Sequence, residues 1–181
     1  MRITVNNFSA IATVFSLAAC STAQPEPTPA PAPAPVVQTS TPAPAQVPVS
    51  DDWTEWPIAP GTWVYRQDDR GSIALFGPAN ADATLTVRCD RDQRQIFLSR
   101  AGQATSGAQT TLRASSGLQS YPTRSTGSSS PYYSALALAP ADYMLDRIAF
   151  SRGRFAVQTT GMQPLAIPVW AEFARVVEDC R

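Results

Sequence analysis

Alternation of apolar and polar residues is the dominant pattern of the chain after residue 60, and it predicts β-strands. The clearest case is residues 83–89, where Leu85, Val87 and Cys89 fall on one side and polar residues fall on the other. Segments rich in Asp, Gly and Gln supply turns between neighbouring strands. Two hairpins are therefore predicted, one from residues 62–66 and 72–76, the other from residues 83–89 and 94–100.

The rest of the pattern predicts five more strands and two helices. The strands are expected at residues 110–114, 118–121, 132–138, 154–159 and 163–167, with a mobile loop at the Ser-rich residues 125–130. Pro140 and Asp142 predict the start of a short helix, and Pro168 is expected to open a C-terminal helix. The apolar stripe of that last helix comprises Trp170, Phe173, Ala174, Val177 and Cys180. The prediction is a mainly β domain: a compact antiparallel sandwich or half-open barrel with a short helix and a C-terminal helix.

A short apolar stretch follows Arg2 and ends in Leu17-Ala18-Ala19-Cys20. It is too short to cross a bilayer, which takes about 20 apolar residues. The motif resembles the lipobox of bacterial lipoprotein precursors. The resemblance implies that residues 1–19 are a signal peptide, that Cys20 carries lipid such as palmitate, and that Ser21, in place of aspartate, directs sorting to the outer membrane. An ordinary cleaved signal peptide and a buried helix of the domain are the alternatives.

Residues 20–50 form a Pro/Ala-rich segment that predicts a disordered linker. Nine prolines between residues 25 and 48 fix φ and remove backbone donors, so neither helix nor sheet is expected. Thirty residues of polyproline II would span about 90 Å. The linker is either a spacer toward peptidoglycan or a plain solubilising tether, and a PxxP ligand is a third reading. One periplasmic domain is expected at residues 51–181.

The two other cysteines are predicted to form a disulfide. Lipid on Cys20 would leave Cys89 and Cys180 in an oxidising compartment. Strand alternation points Cys89 inward, and the helical stripe does the same for Cys180. Closing a loop of about ninety residues would stabilise the fold by up to ~4–5 kcal/mol in the chain-entropy model. Two buried free thiols are the alternative.

The amino-acid composition excludes several kinds of catalytic and metal-binding sites. The chain has neither histidine nor lysine, which excludes Ser-His-Asp and Cys-His hydrolysis, Ser-Lys dyads, Schiff bases and histidine metal sites. Of 14 basic and 14 acidic residues, only Arg2 and Glu26 precede residue 51, which leaves 13 of each in the domain. A formally neutral domain indicates no nucleic-acid partner. No cofactor is expected.

Two groups of side chains are candidates for binding. Trp53, Trp56 and Trp63 could stack on sugars, although aromatic residues at a domain entry more often seal the core. The second group surrounds the predicted second hairpin and could grip carboxylates or phosphates, or form a solvated face paired with aspartates. It comprises Arg88, Arg91, Arg94 and, at the end of the hairpin, Arg100.

Carboxylates offer weaker candidates. Asp68 and Asp90 could serve as a glycosidase acid and base only at a fixed separation, which the sequence does not give. Asp90 and Asp92 alternate as in a calcium loop, but Arg94 occupies the fifth position and no glycine follows. A solvated turn is the simpler interpretation, and neither a metal site nor a catalytic residue is assigned.

The C-terminal region resembles a group of uncharacterised bacterial lipoproteins and periplasmic proteins. The resemblance covers residues 142–146, 149–157, 165–172 and 177–181, with residues 87–90 as a partner motif. It implies location and no activity. We expect a non-enzymatic binding or envelope-accessory module that contacts an envelope protein or peptidoglycan. An inhibitor of an envelope-directed hydrolase, lysozyme or protease, is the alternative, and a carboxylate hydrolase of cell-wall glycans is third.

Overall fold

The computed structural model describes residues 50–181. The predictions for the signal peptide, Cys20 and the linker up to residue 49 lie outside the described residues. The strands are β1 Thr62–Asp68, β2 Gly71–Gly77, β3 Leu85–Asp90, β4 Gln95–Ala101, β5 Gln109–Ala114, β6 Gly117–Pro122, β7 Arg124–Thr126, β8 Tyr133–Leu138, β9 Arg154–Thr159 and β10 Leu165–Pro168. The helices are a 3-10 turn at Trp53–Glu55, α1 Tyr143–Ala149 and α2 Ala171–Asp179.

The strands form two antiparallel sheets, which confirms a mainly β fold. The larger sheet has the order β1-β2-β3-β4-β8-β7, and the smaller has the order β10-β9-β5-β6. Both predicted hairpins are present, as β1–β2 and β3–β4. Within the described part of the chain the sheets do not close into a barrel, as predicted for a sandwich or half-open barrel.

The core lies between the sheets and continues under the helices. Alternate residues of the large sheet point into it, such as Ala74 and Phe76 of β2. Phe173 of α2 joins the layers, because its ring centroid lies 5.6 Å from that of Phe155 in the small sheet and 6.5 Å from that of Trp63 in the large one. One continuous apolar cluster therefore holds both sheets and both helices.

Helix α1 begins as its sequence predicts, at an aspartate. The Asp142 side chain accepts a hydrogen bond from the Met144 N–H at 2.8 Å, which caps the first turn. At the far end of α2, Arg181 donates to the Pro140 carbonyl at 3.0 Å and to Asp146 at 2.7 Å. The end of α2 therefore lies against the start of α1.

The prediction for the start of α2 is wrong. Pro168 is the last residue of β10, paired with Arg154, and the helix begins only at Ala171. Because Trp170 has extended backbone angles ahead of the helix, its ring leaves the predicted stripe and is 43% exposed. Cys180 caps the other end and is partly buried.

The Ser-rich segment is also shorter as a loop than predicted. Arg124–Thr126 forms β7, which pairs with β8 through Ser125 opposite Ser134. The Ser125 hydroxyl also donates to the Ala104 carbonyl at 2.9 Å. Edge pairing of this kind needs no apolar alternation, which is why composition alone predicted a loop for these residues.

Candidate functional site

The β3–β4 turn carries the predicted arginines, but the structure separates them. Arg88 lies on the outer face of the large sheet and forms a paired contact with Asp68, at 2.9 and 2.8 Å. Arg91 and Arg94 are exposed in the turn, and each borders a different cleft. Arg100 lies at the far end of β4, where it is buried. The four guanidinium groups therefore do not form one binding patch.

Hydrogen bonds to the Asp90 carboxylate hold the β3–β4 turn in place. This buried carboxylate accepts from Arg70 at 2.6 Å, from the Gln93 N–H at 3.0 Å and from the Gln93 side-chain amide at 3.1 Å. The Arg70 hydrogen bond and then the Gln93 N–H hold the pKa of Asp90 below its usual range. With the second bond from Arg70, from its Nε at 3.2 Å, four donors hold this charged acceptor and fix the backbone that presents Arg91 and Arg94.

A disulfide stands at the base of the same turn. Cys89, at the inner face of β3, is bonded to Cys180 at the end of α2, with Cα atoms 5.4 Å apart and a sequence separation of 91. This confirms the predicted pairing. The bond fixes the C-terminus of the helix beside the turn, and the two clefts lie on either side of it.

The first cleft encloses about 390 Å³ between the end of β1–β2 and the end of α2. It is lined by Gln67, Asp68, Gly71, Ser72, Arg91 and Asp179. The Ser72 hydroxyl is buried and has no hydrogen-bond partner among residues 50–181. Because a buried unpaired hydroxyl costs free energy, a partner for it would stabilise the site.

Two features shape this cleft. Gly71 has φ of +141°, and a Cβ there would lie 2.5 Å from the carbonyl oxygen of Cys89, so only glycine lets β2 approach β3 this closely. On the other wall, Tyr65 donates to Asp179 at 2.5 Å while the Arg175 guanidinium lies 3.9 Å above the Tyr65 ring. The Asp179 carboxylate is thereby held at the rim through Oδ2, and its Oδ1 accepts no hydrogen bond from residues 50–181.

Arg91 is the cation of the first cleft. Its backbone N–H donates to the Arg70 carbonyl at 3.0 Å, which fixes the residue in place. Within residues 50–181 its guanidinium has no salt bridge or hydrogen bond, in contrast to the paired Arg70 and Arg88. The cleft thus combines an unpaired cation, a carboxylate and an unsatisfied hydroxyl.

The second cleft, of about 640 Å³, lies beyond the disulfide. Its lining residues are Arg94, Ala139, Pro140, Ala141, Asp146, Cys180 and Arg181. Here Arg181 is engaged by Asp146 and by Glu178, at 2.7 and 3.6 Å. Arg94 is left as the side chain that could meet a ligand.

The tryptophans do not form a platform. Trp56 and Trp63 are only 6% and 5% exposed, so neither offers a ring face to a sugar. Their indole N–H groups donate inside the protein, to the Ser50 carbonyl at 2.6 Å and to the Pro168 carbonyl at 2.8 Å. Trp53 packs on the small cluster around Trp56. The stacking hypothesis fails for the two buried rings, which seal the domain entry.

The carboxylate hypotheses find no supporting geometry. Asp68 and Asp90 are each engaged by an arginine, and the hydrogen bond from Arg88 is the main cause that lowers the pKa of Asp68. A general acid needs a raised pKa. In the part of the chain that the structure describes, no group of three potential metal-ligating side chains is found, and no helix is long and apolar enough to span a membrane.

Sequence reasoning missed Gln67, Ser72 and Asp179. The available signal was Ser72, a polar residue in phase with the buried Ala74 and Phe76. Comparison with family models, curated proteins and solved structures finds no match to the chain.

Proposed function

We propose that this chain is an outer-membrane lipoprotein that faces the periplasm, and that its domain is a non-enzymatic binding or envelope-accessory module. The lipobox-like Leu17-Ala18-Ala19-Cys20 and the Pro/Ala-rich segment behind it support the anchor and the tether. The first cleft supports the binding role.

The observation that carries the binding role is unused hydrogen-bonding capacity in a rigid cleft. Among residues 50–181, neither the Arg91 guanidinium nor the buried Ser72 hydroxyl has a hydrogen-bond partner, and only Oδ2 of Asp179 accepts a hydrogen bond. A ligand with a carboxylate beside hydroxyl or amide groups would satisfy all three, since guanidinium pairs with carboxylate in two parallel bonds. A peptidoglycan fragment and an envelope protein with an exposed acidic segment both have this chemistry.

Site-specific cross-linking in the native envelope tests the binding role. A photo-crosslinking residue replaces the exposed Gln67, which lines the cleft, in one variant and the exposed Arg152 in a control variant. We expect a specific adduct only from position 67, of glycan or protein, and we expect Arg91→Gln or Ser72→Ala in the same chain to weaken its yield several-fold. Equal adducts from both positions, or none from position 67, would contradict the proposal.

Lipidation has its own test. Labelling with a palmitate analogue should mark the wild-type chain and not the Cys20→Ala variant, which should also keep its signal peptide and run more slowly on a gel. Fractionation should place the wild type with the outer membrane. A soluble wild-type protein, or unchanged mobility of the variant, would remove the anchor.

A second candidate function, inhibition of an envelope-directed hydrolase, is favoured by one observation. Such an inhibitor needs a rigid exposed loop, because ordering a flexible one costs affinity. The β3–β4 turn meets this need, since Asp90 and the disulfide fix it and it presents Arg91 and Arg94 outward. Lysozyme and a trypsin-like protease are the enzymes to assay. Inhibition lost in Arg91→Gln/Arg94→Gln would support this function, and no inhibition by the wild type would exclude both enzymes.

A further inference from the structure

Arg100 is a buried cation that the rest of the fold leaves largely unpaired. It is 5% exposed, and its Nη2 donates to the Gln163 carbonyl at 3.0 Å. Its Nε and Nη1 are buried and have no hydrogen-bond partner among residues 50–181. Since Nε carries one hydrogen and Nη1 carries two, three of the five N–H donors are unused.

The charge itself is also uncompensated. No carboxylate of residues 50–181 forms a salt bridge with Arg100. Burial lowers its pKa to about 10, which still leaves the guanidinium charged at neutral pH. Buried charges in proteins are normally paired, because the desolvation of an unpaired one is costly.

The neighbouring groups do not satisfy the arginine. Ser134 is the cross-strand partner of Arg100, but its hydroxyl already accepts from the Ala104 N–H and donates to the Gly102 carbonyl, both at 2.7 Å. Leu85, on the opposite side, is apolar and fully buried. The groups whose positions the sheet fixes therefore supply no acceptor to Nε or Nη1.

Met162 and Gly102 lie in contact at this end of the sandwich. Gly102 follows Arg100 by two residues, just after the end of β4, and the Met162 methyl group lies where a side chain at position 102 would be. Met162 sits in the turn that also presents the Gln163 carbonyl to Arg100. An unbranched thioether repacks at low cost, so displacement of Met162 would open space beside Gly102, in the turn next to the Gln163 carbonyl.

We propose that Arg100, with the Met162 turn as its cover, forms a binding site for a single small anion, either a halide or the carboxylate of a small acid. The anion accepts from the unused N–H donors and neutralises the buried charge. This site is at the opposite end of β4 from the β3–β4 turn and does not depend on the proposed function.

Thermal unfolding at constant ionic strength tests the site. The Tm of the wild-type protein is measured in chloride, in formate and in gluconate. Gluconate is the control anion because it is too large to enter the site. We expect chloride or formate at about ten times its Kd to raise the Tm by about 4 °C above gluconate. Arg100→Gln should lose this anion dependence. Arg124→Gln, which removes one exposed arginine, should keep it, and Met162→Ala should shift the dependence to lower anion concentration.

Crystals soaked in bromide give an independent readout. An anomalous peak within hydrogen-bond distance of the Arg100 guanidinium supports the site even if Arg100→Gln does not fold. A Tm shift with formate alone identifies a carboxylate ligand, and a shift with both anions identifies a general small-anion site. Equal Tm in all three anions, or ordered water in place of bromide at Nε and Nη1, would overturn the proposal.

Discussion

Removal of the disulfide between Cys89 and Cys180 should lower the free energy of unfolding by about 4.6 kcal/mol. The value follows from the 91-residue separation, because the cross-link removes loop-closure entropy from the unfolded chain in proportion to the logarithm of loop length. A loss of this size is a large fraction of the 5–15 kcal/mol that is typical of a domain.

Two comparisons separate the cross-link from the packing of its sulfur atoms. Reduced wild type keeps both sulfurs, so oxidised against reduced protein measures the cross-link alone. The variant Cys89→Ala/Cys180→Ala also loses the sulfur of the fully buried Cys89, which should cost about 1 kcal/mol more. Single variants at either position should fall between the reduced protein and the double variant.

The assay is guanidinium unfolding followed by tryptophan fluorescence. Reduction should lower the midpoint and raise the m-value, because the unfolded chain expands once the cross-link is gone. A difference below about 1 kcal/mol between oxidised and reduced wild type would refute the entropic reasoning. Two reactive thiols in the unfolded, unreduced protein would refute the disulfide itself.

Three other perturbations test the packing and the electrostatics. Phe173→Ala should destabilise the domain by about 3–5 kcal/mol in the same assay, whereas Phe150→Ala, at a residue 84% exposed, should change stability by less than about 0.5 kcal/mol. Gly71→Ala should be markedly more destabilising than Gly107→Ala. Both positions have positive φ, but only at Gly71 would a Cβ collide with the Cys89 carbonyl. A similar loss of stability in both variants would contradict that contact. Folding lowers the pKa of Asp90, so the Asp90 carboxylate stabilises the folded state above its unfolded pKa, and this stabilisation is lost as the pH falls through its folded pKa. The Tm of Asp90→Asn should therefore fall less than the Tm of wild type between pH 7 and pH 2.5. Parallel pH profiles of Tm would contradict this.

Most of the strands could be predicted from the sequence, because their side chains alternate between core and solvent. Helix α1 was predicted for a similar reason, since Asp142 is a strong N-cap signal. The start of α2 was not, because Pro168 suits a helix start and also the end of an edge strand, and only pairing with Arg154 decides between them.

The candidate site was predicted only in part. The arginines of the β3–β4 turn were identified, but the division of Arg91 and Arg94 between two clefts depends on where the disulfide places the end of α2. Ser72 and Arg100 share one signal that the sequence does hold: each is polar at a position in phase with buried apolar neighbours. A polar residue that breaks an otherwise apolar face in this way marks a buried polar group.

The segment that leads into β1 is attached to the small sheet, and so is β1 itself. Arg154 donates to the Trp56 carbonyl at 2.8 Å, Ile58 bridges to Ala166, and Trp63 of β1 donates to Pro168. If the domain is tethered as proposed, a pull from the membrane reaches the hydrogen bond between the Trp56 indole and the Ser50 carbonyl and then these three contacts. Together they transfer the load to the small sheet before edge strand β1 can separate from β2.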